Sequence, residues 1–378
     1  MFDPRVGMKI YDNVWYLRHR LEPEQAADIL SAMGVTYVMA QSKILPMQDT
    51  AIESEVTAEE RLRFATLDDR AFRDALKARG ISYFASINIG FDPNFIAANQ
   101  DLLPVDQFGK REGKTDWYIG LPPDRKPNID HKLALLENAT RMLAPDGVHL
   151  GFIRWPGFWE IWLPDVKRAE MPDYCYGAGT LARFRTATGI DVPLNDPIAA
   201  AALIAKDHKV AWRDWKCGIT VAAVGRIRDT LRAIKPDVKI AINTLPFFLS
   251  DFDNVAEEVF GQSPARLKDV ADVFEVMAYH QILRRPAAWP AEIANDVKRR
   301  SGSTTVSTIQ GSALYLNGMH ADRGRAADLT TDEFISMVDG LEKSEADGLC
   351  VFTFTDFLDM RETAEGKRRI DRLRAFRR

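Results

Sequence analysis

Cysteine is scarce in this chain of 378 residues: Cys175, Cys217 and Cys350 are too few and too scattered for a disulfide framework or a zinc cluster. The histidines His19, His131, His149, His208, His280 and His320 include no pair at metal-ligand spacing, so no preformed metal site is expected. Long apolar runs are missing as well. No stretch approaches the roughly 20 residues of a membrane span, and the N-terminal MFDPRVGMKIYDNVWYLRHR has no apolar segment of signal-peptide type. A soluble, cytoplasmic protein is expected. Nor is there an excess of one charge: 50 Lys and Arg stand against 54 Asp and Glu, and the net −4 lacks the basic footprint of a nucleic-acid protein. There is no P-loop and no G-x-S-x-G elbow. Gly177-Ala178-Gly179-Thr180-Leu181-Ala182 matches G-x-G-x-x-A but lacks the strand and βαβ context of a dinucleotide site, so no cofactor is expected.

What is present is an ordinary globular composition, 46% apolar and 28% charged, and a repeating order. Short apolar runs alternate with helix-length amphipathic segments. Strands are expected near 7–11, 35–41, 81–88, 148–154, 238–243, 270–279, 304–310 and 349–355. The helices between them carry proline near their starts and glycine just past their ends, as at Pro23, Gly34 and Gly80. Thr57-Ala58-Glu59-Glu60 has capping-box spacing. Val224, Ile227, Leu231 and Ile234 recur at steps of 3, 4 and 3, one buried helical stripe. The strand runs are nearly continuous in apolar residues, as parallel strands covered on both faces require. Eight strand-then-helix units predict a single α/β domain, a (β/α)8 TIM barrel over 1–378, with long βα loops after strands 3 and 4, about 89–128 and 155–216. The competing open, doubly wound sheet needs a phosphate-binding turn after its first strand, where Asp12-Asn13-Val14-Trp15 stands instead.

Barrel chemistry sits at the C-terminal ends of strands and on the following loops. The residues there are amide, aromatic, basic and acidic: Tyr11 and Asp12, Gln41, Asn88, Arg154 and Trp155, Asn243, Glu275 to His280, Gln310 and Asp356. Such a mixture suits a hydroxyl-rich ligand, since saccharides need stacking rings and paired hydrogen-bonding groups. The fourth loop is rich in rings: Trp155, Phe158, Trp159 and Trp162, then Tyr174 and Tyr176. Either they form a sugar platform or they fold down as the loop's own small core. Glu275 stands in an otherwise apolar strand, where a carboxylate must be paired, protonated or functional. Its structural alternative is an ion pair with Lys9, Lys239 or Arg154. Asp356 follows the eighth strand, as a candidate acid or as a helix cap. Glu160, on the aromatic loop, is a candidate general acid among apolar neighbours or an exposed loop carboxylate.

Three stretches carry a family resemblance. Gly147-Val148-His149-Leu150-Gly151-Phe152-Ile153-Arg154-Trp155-Pro156 is similar to a fourth-strand pattern G-x-H-L-D-[YF]-[IV]-R-[YF]-P. Tyr174 to Phe184, then Thr188-Gly189-Ile190, is similar to a C-x-C-x-x-C-x-x-x-F…T-G-[IV] segment. Met277-Ala278-Tyr279-His280, with Trp289 soon after, resembles M-x-Y-H on a sixth strand. Together they resemble a loosely defined group of TIM-barrel glycoside hydrolases, from about residue 145 onward. The chain departs from that group at Gly151, where relatives are acidic, and at Gly177 and Thr180, where they have cysteine. Arg154 and Gln310 replace the glutamates of the largest clan of retaining barrel glycosidases.

The resemblance implies cleavage of an O-glycosidic bond in an oligo- or polysaccharide by two carboxyl groups. The expected acids are Glu275 with Asp356 or Glu160. Tyr11, Arg154, Asn243, Tyr279, His280 and Gln310 are expected to hold hydroxyls, with Tyr174 beside them and Trp155 and Trp159 stacking on the sugar. The expected partner is a carbohydrate, with neither nucleic acid nor membrane, and the oligomeric state is left open. Two alternatives stand beside this reading. One is a saccharide-binding barrel without chemistry, motivated by Gly151. The other is a sugar-acting isomerase or aldolase, for which Lys9 or Lys239 supplies the amine.

Overall fold

A computed structural model describes residues 2–45, 56–115, 117–314 and 323–377. Eight parallel strands close into a barrel in sequence order: β1 (Val6–Ile10), β2 (Tyr37–Ala40), β3 (Ser82–Asn88), β4 (Gly147–Gly151), β5 (Lys239–Thr244), β6 (Val273–Met277), β7 (Thr304–Gln310) and β8 (Gly348–Phe352). The (β/α)8 expectation is met. β1 pairs with β2 on one side and with β8 on the other, so the sheet has no edge.

Helices cover the outside because each presents one apolar stripe. Pro23–Ala32 buries Ala26, Ala27 and Leu30, and Lys209–Ile234 buries Val224, Ile227 and Leu231 of the expected stripe. The capping box at Thr57 forms, with reciprocal bonds between Thr57 and Glu60. Gly34 and Gly80 take positive φ values of 81° and 72° just past their helices, a conformation that is costly for any residue with a Cβ. The long loops contain elements of their own. Helix Pro93–Ala98 lies in the third. The fourth holds helices Ala178–Thr188 and Pro197–Leu203, which pack Tyr176, Phe184 and Trp212 into a small separate core.

Inside the barrel, side chains alternate inward along each strand and stack in layers. The lower layer is apolar: Tyr37, Phe84, Val273, Val306 and Cys350, with Phe2 packed beneath Tyr37 and Phe84. Large rings fit there because glycines face them, Gly7 opposite Tyr37 and Gly147 opposite Phe84 in the strand register. The layer above is polar and buried: Lys9, Ser86, His149, Glu275 and Thr308. The mouth layer holds Tyr11, Asn88, Asn243, Met277 and Phe352, which line a cavity.

Three strands end two or more residues sooner than the apolar runs predict. β4 stops at Gly151 rather than Arg154, because Phe152 turns the chain with φ 52°. β6 stops at Met277 and β8 at Phe352. Beyond β4 and β6 the buried Ile153, Ala278 and Tyr279 continue the apolar run as loop, and beyond β8 Phe354 continues it within a helix, so hydrophobicity alone does not mark the boundary.

Candidate functional site

A cavity of about 470 Å³ opens at the C-terminal mouth. Lys9, Tyr11 and Asp12 reach it from the end of β1, Asn88 and Phe91 from β3, Phe152, Arg154, Trp159 and Glu160 from β4, and Asn243 from β5. Met277, Tyr279 and Ile282 follow β6, Phe352 and Thr353 end β8, and Trp117 and Leu314 close the rim. Seven of these residues are aromatic, two are carboxylic acids and two are cations.

Glu275 lies beneath this space, not on its wall. It is wholly buried, and each carboxylate oxygen has two donors. Lys9 Nζ, 2.9 Å away, and the Thr308 hydroxyl meet Oε1. His149 Nε2 at 3.2 Å and the Asn243 amide meet Oε2. Burial alone would raise its pKa, but the Lys9 ammonium and the bonds from His149 and Thr308 prevail and hold it at about 2. The charge on Lys9 is fixed in turn. Burial works against it, yet Glu275 keeps its pKa well above the usual lysine value. Burial lowers the His149 pKa, so the ring is neutral at physiological pH. A proton on Nε2 serves Glu275, which leaves Nδ1 to accept from the Tyr11 and Ser86 hydroxyls at 3.3 and 3.2 Å.

Of the three cations named for Glu275, Lys9 is the partner. Lys239 begins β5 at the opposite end of the barrel, 3.6 Å from Asp272, and Arg154 stands up in the mouth. An ammonium locked to a carboxylate is a poor nucleophile, which weighs against a Schiff-base role for Lys9.

The remaining expected residues divide between cavity and scaffold. Tyr11, Arg154, Trp159, Glu160, Asn243 and Tyr279 line the cavity. Trp155 does not: it is buried against Trp215 and donates its indole N–H to the Lys216 carbonyl at 3.0 Å. His280 is paired with Glu333 at 2.8 Å. Gln310 donates to Gln281 and to the Ser312 carbonyl. Tyr174 pairs with Asp106 in an isolated bridge within the loops. Asp356 accepts from the Thr353 backbone and from Ser312, completing the capping box of helix Phe354–Met360. For the four besides Tyr174, whose bridge is a backbone pairing, local folding needs account for the side chain.

Asp12 is the acid that sequence reasoning passed over. It follows β1 directly, accepts from the Val14 amide and the Thr355 hydroxyl at 2.9 and 2.8 Å, and faces the cavity. Burial, with Asp356 nearby, lifts its pKa above the ordinary aspartate range despite those bonds. It stood among the named strand-end residues, but it was not among the expected acids. Trp117 was hidden in the third loop, which only its length had marked.

Gly151 now has a physical account. A Cβ there would stand 2.5 Å from Asn88 Oδ1 and 3.1 Å from Asn243 Oδ1. The space in which the resembling family carries an acidic side chain is occupied by two amides. Among the described residues no group of histidine, cysteine and carboxylate side chains could hold a metal ion, and His320 lies outside them. Among the same residues no helix is long and apolar enough to cross a membrane.

No protein-family model matches the chain, and no curated protein matches it. Solved structures do. The catalytic domain of β-amylase from Paenibacillus polymyxa is 12% identical, covers 99% of this chain and 98% of its own, and superposes with a TM-score of 0.59. A β-galactosidase from Bacillus circulans sp. alkalophilus (11% identity, TM-score 0.61) covers 100% of this chain. An α-L-fucosidase from Paenibacillus thiaminolyticus (14% identity, TM-score 0.59) covers 99% of it. The chain spans about half the length of the last two, 56% and 49%. At such identities the likeness establishes the barrel fold, and a fold hosts many activities.

Proposed function

We propose that the mouth cavity is the active site of a glycoside hydrolase that cleaves an O-glycosidic bond in an oligo- or polysaccharide. The observation that carries this reading is its lining, in which aromatic walls enclose two carboxylic acids, Asp12 and Glu160, and the amides of Asn88 and Asn243. Aromatic faces cover the C–H faces of a sugar ring while amides and acids take its hydroxyls. Asp12 follows β1 and Glu160 lies on the loop after β4, strands that stand three places apart around the eight-strand ring. That placement suits a pair flanking a scissile bond.

Asp12 is suited to hold a proton and deliver it to the leaving oxygen, since burial raises its pKa. Glu160 is the second carboxyl, as base or nucleophile. Glu275 becomes a positioning residue: with four donors on it and a pKa near 2 it has no proton to give, but it fixes Lys9, His149 and Asn243, and through His149 the Tyr11 hydroxyl at the cavity floor. Hydrolysis of aryl glycosides and oligosaccharides by wild type, Asp12→Asn and Glu160→Gln tests the reading. Each substitution is expected to lower kcat by about 10²- to 10⁴-fold in a folded protein. Wild-type-like turnover in either variant removes that residue from the pair.

The binding-only alternative draws on the saturated Glu275 and on Gly151. It predicts saccharide affinity without turnover in the same screen.

A further inference from the structure

We propose that the substrate carries an anionic group, a sugar carboxylate such as a uronate, and that Arg154 is the residue that selects it. The inference rests on the saccharide reading above and names the class of sugar.

Arg154 is 4% exposed and lines the cavity. Among the described residues it forms no ion pair, and neither Nε nor Nη2 has a hydrogen-bond partner. Its guanidinium stands over the Phe152 ring at 4.8 Å, with the Phe260 ring at 5.9 Å. Those rings favour a cation but accept no ordinary hydrogen bond, so Nε and Nη2 stay unanswered. Buried guanidinium groups are otherwise paired, because an uncompensated charge away from water is costly.

Three acids stand near enough to be internal partners. Glu112 lies within electrostatic reach of Arg154 but forms no ion pair with it, and its buried carboxyl is held well above the usual range by desolvation, which favours the neutral form. Asp12 is occupied by Val14 and Thr355. The other cation in the cavity, Lys9, is neutralised by Glu275. Glu160, on the same lining, forms no ion pair with Arg154 among the described residues either, so Arg154 presents an unpaired positive charge and a planar fork of donors to whatever fills the cavity. A carboxylate answers both, accepting two parallel N–H bonds. A neutral hydroxymethyl group at the same place satisfies the hydrogen bonds only in part and the charge not at all.

The test compares ligands that differ in charge alone. Oligogalacturonate is titrated calorimetrically beside its fully methyl-esterified form. The 4-nitrophenyl glucuronides of both anomers are assayed beside the matching glucosides, for binding and for turnover. The wild type is expected to favour the acidic member of a pair by about 10- to 100-fold. Arg154→Met should collapse that ratio to near one, and Arg154→Lys should restore part of it. Equal or better binding of the neutral members by wild type, a comparison that needs no variant, overturns the role of Arg154 while leaving the saccharide reading intact. A ratio that survives in Arg154→Met does the same. Failure to bind or cleave either class removes the saccharide reading, and this inference with it.

Discussion

Replacing Lys9 by methionine tests the reasoning about the barrel's polar layer most directly. Methionine keeps the length and apolar stem of lysine and deletes only the ammonium. The perturbation leaves Glu275 wholly buried with its charge uncompensated, since Lys9 Nζ at 2.9 Å is the only full cation on it among the described residues. Breaking a buried pair from one side costs about 3–5 kcal/mol. The pKa of Glu275 gives a matching figure: a fall from 4.5 to about 2 corresponds to about 3 kcal/mol. With about 2.1 cal/mol/K of unfolding entropy per residue over 378 residues, that loss lowers Tm by about 4–6 °C. The sign with pH follows from the depressed value. A carboxyl whose folded pKa lies below its unfolded one contributes fully above about pH 4.5 and loses that contribution as pH falls toward about 2. The stability gap between wild type and Glu275→Gln should therefore be widest above pH 5 and narrow through that window. Thermal unfolding of wild type and Lys9→Met at pH 7, with chemical denaturation of wild type and Glu275→Gln from pH 7 to pH 3, measures both effects. A Lys9→Met protein within 1 °C of wild type, or a gap that does not narrow on acidification, would refute the argument.

Gly151→Asp, which restores the acid of the resembling family, is expected to destabilise by about 1–3 kcal/mol and to give no gain in hydrolysis, because the new side chain must displace Asn88 and Asn243; a stable and more active variant counts against this packing. Trp117→Ala removes one aromatic wall and should raise KM about tenfold with a smaller change in kcat, which steady-state kinetics reads directly. The alkaline limb of kcat/KM should report loss of the Asp12 proton and lie above the usual aspartate range, since burial raises Asp12, and Asp12→Asn should abolish that limb along with most of the rate.

Much of the architecture was legible because a closed parallel barrel repeats one demand eight times. β7 was read at its observed bounds, since Thr304 is preceded by the helix-ending Gly302 and Gln310 is followed by Gly311. β4 was not, because Phe152 and Ile153 continue the apolar pattern while the backbone has already turned. Sequence hydrophobicity reports burial, and a buried loop gives the same signal as a buried strand.

The site was legible in a more uneven way, and the reason lies in what a polar residue near a strand end can be for. Glu275 stood out by its isolation, and its isolation was a sign of burial, not of access: the barrel surrounds it with donors from β1, β4, β5 and β7. Residues that face an open mouth look ordinary in sequence, since Asp12 resembles any turn aspartate and Trp159 any loop aromatic. Trp155 and Trp159 share one loop, four residues apart, yet the first closes on Lys216 and the second reaches the cavity. Composition cannot separate them, because the loop backbone and the partners each ring meets decide the difference. Arg154 is the case in between. A strand-end arginine was an evident candidate for binding hydroxyls, but only the absence, among the described residues, of an ion pair around its buried guanidinium makes a charged ligand the better match. The unanswered donors of a buried cation carry more specific information than the residues that are already satisfied.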